Sequence, residues 1–262
     1  MDWNKEPHLL GTGMTQTGVN SVTFAAWNTR RRVWHVVGCL GTVVIFHLWK
    51  DAHFVIPGRD ALVGVVWLGA AALFVIDLVR ITVPEQEKAV EQLPFYGAML
   101  RRGERRRFNA STYMLFAAAL MASFWRFGLL GDTALTGALS VLALADPAAA
   151  GARLLAGMRG SRHVRIWGLA AFTIAGSGAL YLSGLVNGCP PGWAVLLAVP
   201  LATGWIEGYT GGFMLMIRPL VWLPLRLMPR RTRAWFMRVY PDDNLLVPLA
   251  VAAMVEVFQR IA

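Results

Sequence analysis

The sequence predicts an all-α fold: a polytopic membrane helical bundle with about seven transmembrane helices. Three observations predict it. Of the 262 residues, 56% are hydrophobic and only 15% charged, with a mean hydropathy of +0.50. Several apolar runs approach the roughly 20 residues that a helix needs to cross a bilayer. None of these runs shows the ten-residue alternation of a barrel strand, so helices must satisfy the backbone in lipid.

The spans are expected at about 33–49, 61–80, 112–130, 133–157, 166–187, 193–210 and 243–260. The first opens after Arg30, Arg31 and Arg32, a positive anchor. Residues 1–32 before it read as a cytoplasmic or interfacial segment, with VTFAAW as the interfacial stretch. That segment is too polar for a cleavable signal, so the first span would itself be the targeting signal. The second span ends before Pro84. Residues 81–111 then form the longest loop, a short helix followed by the basic turn RRGERRR. Gly131-Asp132 separates the third and fourth spans, and Pro147 is expected to break or bend the fourth. NGCPPG turns the chain between the fifth and sixth. The segment 211–228 is apolar but interrupted by Arg218, Pro219, Pro224 and Arg226. It could extend the sixth span, re-enter, or lie in the interface, and a full crossing would make eight spans. Residues 33–262 thus read as a single bundle with basic loops at 81–111, 158–165 and 218–242.

Charge orients this bundle. The N-terminal segment and the three basic loops carry nineteen Lys and Arg, against two, Lys50 and Arg59, in the opposite loops. This asymmetry predicts a cytoplasmic N-terminus and an outside C-terminus, in a bacterial inner membrane or an ER-type membrane. The net charge of +10 then reflects positive-inside loops and anionic headgroups. No zinc spacing, RNA-binding motif or aromatic-basic strip is present, so no nucleic-acid partner is expected. The two cysteines, Cys39 and Cys189, make neither a disulfide framework nor a metal pair.

Ionisable residues inside spans are costly and therefore functional candidates. His35 lies one turn inside the first span, where anchoring at the headgroups after the arginines also explains it. Asp77 and Arg80, three apart, share a helix face and can pair, as an end-of-helix ion pair also would. Glu104 is the sole acid among five arginines of RRGERRR. Those arginines could form a phosphate pocket or a solvated turn. Asp146 and Arg153, in ALADPAAAGAR, are seven apart and ringed by small residues that allow close approach. Arg162 and Arg165 follow on the next basic loop. Glu207 sits among Gly204, Gly208, Gly211 and Gly212, and irregular glycine-rich backbone at membrane depth belongs beside a cavity. In YPDDNLLVPL, one of Asp242, Asp243 or Asn244 caps the last helix. The remaining hard oxygens suit Mg²⁺ with phosphate.

Taken in order, RRRVWHVVG, DLVR, RRGERRRFNASTY, LALADPAAAGAR, Glu207 and DDNLLVPL resemble the CTP-dependent membrane lipid kinases: dolichol kinase, phytol kinase and the yeast-type diacylglycerol kinase. The likeness spans about residues 30 to 250. The sequence departs from the family's Lys-Ser-x-Glu-Gly-Ser-like segment, where RHVRIWGLAAF stands instead, and Arg165 or Arg162 would replace the lysine. About 35 residues separate Glu207 from Asp243, with the basic RLMPRRTRAWFMR inserted. The resemblance implies transfer of a phosphoryl group from CTP, or another nucleoside triphosphate, to a polyprenol, phytol-like or diacylglycerol hydroxyl. It implies catalytic roles for Asp146, Arg153, Asp77, Arg80 and His35. Phosphate or nucleotide contacts fall to Arg101, Arg102, Glu104, Arg162, Arg165 and Asn244. Mg²⁺ would be held by Asp146, Glu207 and Asp243. Two alternatives stay open: a lipid cytidylyltransferase, and a non-catalytic homologue acting as a membrane interaction protein.

Overall fold

The computed structural model describes residues 18–52, 56–93, 96, 108–158, 163–207 and 243–261. The described elements are α1 (Gly18–Trp49), α2 (Gly58–Thr82), α3 (Pro84–Glu91), α4 (Ala110–Arg126), α5 (Asp132–Met158), α6 (Val164–Val186), α7 (Trp193–Glu207) and α8 (Asp243–Ile261). No strand occurs among the described residues. The described residues are helical, and their long apolar helices give them the character of a membrane-embedded protein. Among the described residues, five helices are long and apolar enough to cross a bilayer: Arg32–Trp49 of α1, α2, α5, α6, and Asn244–Ile261 of α8. Only 17% to 44% of the residues in their apolar windows are buried within the protein. Outward residues such as Leu68 and Ile174, over 70% exposed, would form a large apolar patch in water but suit contact with lipid.

The seven expected spans are therefore met in part. The one at 112–130 is the 17-residue α4, about 26 Å long. It stops at Arg126 because Gly128 takes a left-handed φ of 72° and Leu129 donates back to the Phe124 carbonyl at 2.8 Å. The span at 193–210 is α7, an apolar helix of under eighteen residues. Residues 18–31 are helical and continuous with the span that begins at Arg32, as parts of the 32-residue α1. Pro147 does not break α5, which runs through it for 27 residues. A proline removes one backbone donor, and packed neighbours hold the remaining turns. The segments 211–228 and 218–242 lie outside the described residues.

α5 is the axis of the bundle. It packs along α6 and is flanked by α1, α8 and α4, while α2 packs on α4 and α3. Small residues set the closest approaches. A Cβ on Gly137 would come within 2.9 Å of Leu180 on α6, and one on Gly204 of α7 within 2.8 Å of Phe172 on α6. The core between them holds Phe46, Trp125, Leu135, Leu139, Phe172 and Leu180.

The two ends of the bundle are chemically different. At one end Lys50 pairs with Asp132 at 2.7 Å, and Trp125 donates to the same carboxylate at 2.8 Å. Glu256, late in α8, accepts the Gly131 backbone N–H at 2.7 Å and pairs with Arg260. These contacts gather the end of α1 and the α4–α5 turn beside the end of α8. α7 therefore finishes, and α8 begins, at the other end. There Asp77, Arg80, Asp146, Arg153, Glu207 and Asn244 all lie.

Candidate functional site

Two polar clusters stand at that second end. The first is centred on Asp77. Its carboxylate accepts from Arg80 Nη2 at 2.7 Å and Nε at 3.3 Å. It also accepts from the Tyr96 hydroxyl, the Asn109 backbone N–H at 2.8 Å and the Thr112 hydroxyl at 2.5 Å. Arg80 Nε donates in turn to the Tyr96 oxygen at 3.1 Å. Both charged side chains are fully buried. Burial, then the Asp77 charge, holds the Tyr96 phenol well above the ordinary tyrosine range, so it stays a donor. A carboxylate with both oxygens saturated and no exposure holds helices together rather than meeting a substrate. The pair expected from spacing is formed, and it is buried within the protein.

Local sequence explains the convergence. Asn109 caps α4, its side chain accepting from Ser111 N–H at 3.1 Å. That cap turns the Asn109 N–H toward Asp77 and sets Thr112 one turn on. Tyr96, Asn109 and Thr112 were not among the candidates. The cap pattern Asn-Ala-Ser-Thr was the available signal for Asn109, and nothing local marks Tyr96.

The second cluster surrounds Asp146. A narrow cleft is lined by Leu142 and Asp146 of α5, Phe172 of α6, Glu207 of α7, and Asn244 and Val247 of α8. Its free space for a water-sized body is about 10 Å³, room for about one water. On the α1 side, the buried Cys39 thiol lies within electrostatic reach of Asp146 and contacts Met114 Sδ at 3.4 Å. Arg153, two turns past Asp146, does not stop at its own helix. Its guanidinium makes a two-pronged bridge to Glu207, Nη1 to Oε2 at 2.8 Å and Nη2 to Oε1 at 2.5 Å. The Glu207 side chain is 7% exposed and that of Arg153 28%.

Gly168 makes this reach possible. A Cβ there would lie 2.7 Å from Arg153 Cγ and 3.0 Å from Cδ. The arginine stem thus lies in a notch on α6 that any larger residue would fill.

The remaining candidates are placed as follows. His35 is 2% exposed on α1, one turn before Cys39. Arg165 is exposed on the first turn of α6. Asp243 begins α8, and its side chain is not described. Arg101, Arg102, Glu104 and Arg162 lie outside the described residues. Asp146, Glu207 and Asn244 are brought together from segments about 60 and 37 positions apart.

Chemically, the cleft offers two carboxylates and an amide beside a guanidinium. Such oxygens suit Mg²⁺, which takes one or two carboxylates and fills its shell with water and phosphate. No group of three or more His, Cys, Asp or Glu gathers among the described residues, so phosphate would have to complete the shell. No model of a known protein family, no curated protein and no solved structure matches this chain.

Proposed function

We propose that the chain is an integral membrane phosphotransferase of the CTP-dependent lipid-kinase kind. It passes the γ-phosphoryl group of CTP, or of another nucleoside triphosphate, to a polyprenol, phytol-like or diacylglycerol hydroxyl. One observation carries the reading: Asp146, Glu207 and Asn244, from three separate motifs of the resemblance, line one cleft with Arg153 at its edge. In this proposal the basic loops and the cleft face the cytoplasm, where nucleotide is available.

Phosphoryl transfer needs positioning and charge neutralisation more than covalent help. The lipid hydroxyl oxygen bonds to the γ-phosphorus as the β,γ-bridging P–O bond breaks and the hydroxyl proton passes to solvent, releasing CDP when CTP is the donor. Arg153 would neutralise the charge spread over the phosphoryl oxygens. Asp146, Glu207 and Asn244 would hold Mg²⁺, which would supply positive charge against the phosphates. Asp77 and Arg80 serve as positioning residues, because they are sealed from the cleft by burial.

Labelled CTP and ATP offered to the purified, folded protein with polyprenol, phytol and diacylglycerol test this reading. Phosphorylated lipid with CDP release is expected. Pyrophosphate release would indicate a cytidylyltransferase instead, and no transfer to any acceptor would sink the kinase reading. The bidentate hold of Arg153 on Glu207, over a cleft of one-water size, favours one second reading: a non-catalytic homologue.

A further inference from the structure

At the bundle end opposite the Asp146 cleft, an open groove of about 450 Å³ runs along α2. It is lined by Trp49 of α1, Ile56, and Ala61, Gly64, Val65 and Leu68 of α2. The α2 residues form one helix stripe, about 10 Å long. The backbone shapes this groove. Gly58 donates its N–H to the Ala52 carbonyl at 3.0 Å, and a Cβ on Gly58 would lie 1.9 Å from the Trp49 carbonyl. That close approach pins the end of α1 to the start of α2. Further along α2 the space opens, and a Cβ on Gly64 would meet nothing within 4 Å. Val65 and Leu68 are 49% and 72% exposed, so in a bilayer this surface meets hydrocarbon.

The mouth of the groove is charged. Asp60 directly precedes Ala61 and lies one helical turn before Gly64. Arg126, at the end of α4, pairs with it, Nε to Oδ1 at 2.5 Å and Nη2 to Oδ2 at 3.3 Å. The two side chains are 43% and 39% exposed, which leaves both open to a headgroup. The other cations at this end are engaged elsewhere. Lys50 pairs with Asp132, and Arg59 stacks on Trp125, on the side of α2 opposite Leu68. Trp49, where α1 ends, suits the headgroup level of a membrane.

We infer that this groove binds one zwitterionic phospholipid of the phosphatidylethanolamine type, with an acyl chain along Gly64 and Leu68 and its headgroup across the Asp60–Arg126 pair. Arg126 takes the phosphate and Asp60 the ammonium, so each protein charge meets its opposite. An anionic lipid would satisfy Arg126 and leave Asp60 facing a negative headgroup. An exposed ion pair holds its partners weakly, so it opens to the headgroup at little cost. The site lies at the other end of the bundle from the proposed phosphotransfer cleft and does not depend on that reading. Its lipid is a bound companion of the fold, not the acceptor alcohol.

The test titrates the full-length protein in detergent micelles with dioleoyl-phosphatidylethanolamine or dioleoyl-phosphatidylglycerol, which share their chains and differ in headgroup. Native mass spectrometry counts the lipids retained and the mass of the assembly. The wild type is expected to retain one phosphatidylethanolamine about tenfold more tightly than phosphatidylglycerol, as one contact to a charged group provides. Gly64→Leu fills the groove without a clash and is expected to lose that molecule. Asp60→Asn with Arg126→Gln leaves the groove open and is expected to retain the two lipids equally. Melting temperatures confirm that each variant is folded; if Gly64→Leu does not fold, the double variant decides. Equal retention of the two lipids by the wild type overturns the inference. So does wild-type retention of phosphatidylethanolamine by folded Gly64→Leu, or an unchanged headgroup preference in the double variant. A lipid-free dimer that Gly64→Leu splits also overturns it, because a second copy of the chain would then cover the groove.

Discussion

Asn109 donates its backbone N–H to the Asp77 carboxylate at 2.8 Å, which ties the first turn of α4 to the last turns of α2. The same carboxylate holds Arg80, Tyr96 and Thr112. One acid thus fixes two helices and a residue of the connection between them, so its removal has consequences beyond a lost pair.

Asp77→Asn should destabilise the protein by about 3–5 kcal/mol, because it removes one half of a fully buried ion pair. Asp77→Asn with Arg80→Met should recover much of that loss, since both halves of the buried pair are then removed together. Thermal unfolding in detergent checks both. Equal losses in the single and double variants would show that the two side chains are not energetically coupled.

Tyr96 makes stability depend on alkaline pH. Its folded phenol is held above its unfolded value of 10.0. Its contribution is therefore complete below about pH 10 and is lost as pH rises from there. Tyr96→Phe should lower stability at neutral pH by about 1.5–3 kcal/mol, having lost a hydrogen bond to a charged group. It should also show a shallower decline above pH 10 than the wild type. Parallel alkaline curves for the two proteins would contradict the assignment.

Glycine substitutions should divide by what the new methyl meets. At Gly184 it would lie 2.8 Å from the Cys189 carbonyl and 2.3 Å from Pro191, a turn that cannot yield. At Gly137 it would lie 2.9 Å from the end of the Leu180 side chain, which can rotate. Gly184→Ala should cost about 1–3 kcal/mol from overpacking, and Gly137→Ala visibly less. Melting temperatures measured side by side settle the order.

Asp146→Asn is nearly isosteric and removes one negative charge from the cleft. Under the phosphotransfer proposal, turnover should fall by about a hundredfold or more, while the melting temperature stays within a few degrees. Unchanged lipid phosphorylation in a folded Asp146→Asn protein would remove Asp146 from the chemistry.

The candidate site was partly legible in the sequence. Charges within apolar runs pointed to Asp77, Arg80, Asp146, Arg153 and Glu207, because hydrocarbon makes each of them costly. Spacing predicted the Asp77–Arg80 pair, and that pair forms. Spacing also made Asp146 and Arg153 near neighbours on one face. Arg153 instead crosses to Glu207, 54 positions later, by way of a notch at Gly168. A helical wheel sees only partners on the same helix, so it was blind to this choice.

The sequence by itself determined the helical class and the long apolar helices, of which it predicted about seven against the five found among the described residues. These follow from hydropathy, which acts through local composition and the surrounding solvent. Helix ends were less secure: α4 stops at Arg126, where Gly128 turns the backbone, and Pro147 is absorbed within α5. Only the tertiary structure decided which carboxylate meets which cation. That outcome depends on helix packing to within a methyl group, set by residues such as Gly168 and Gly204 that carry no charge and no hydropathic signal of their own.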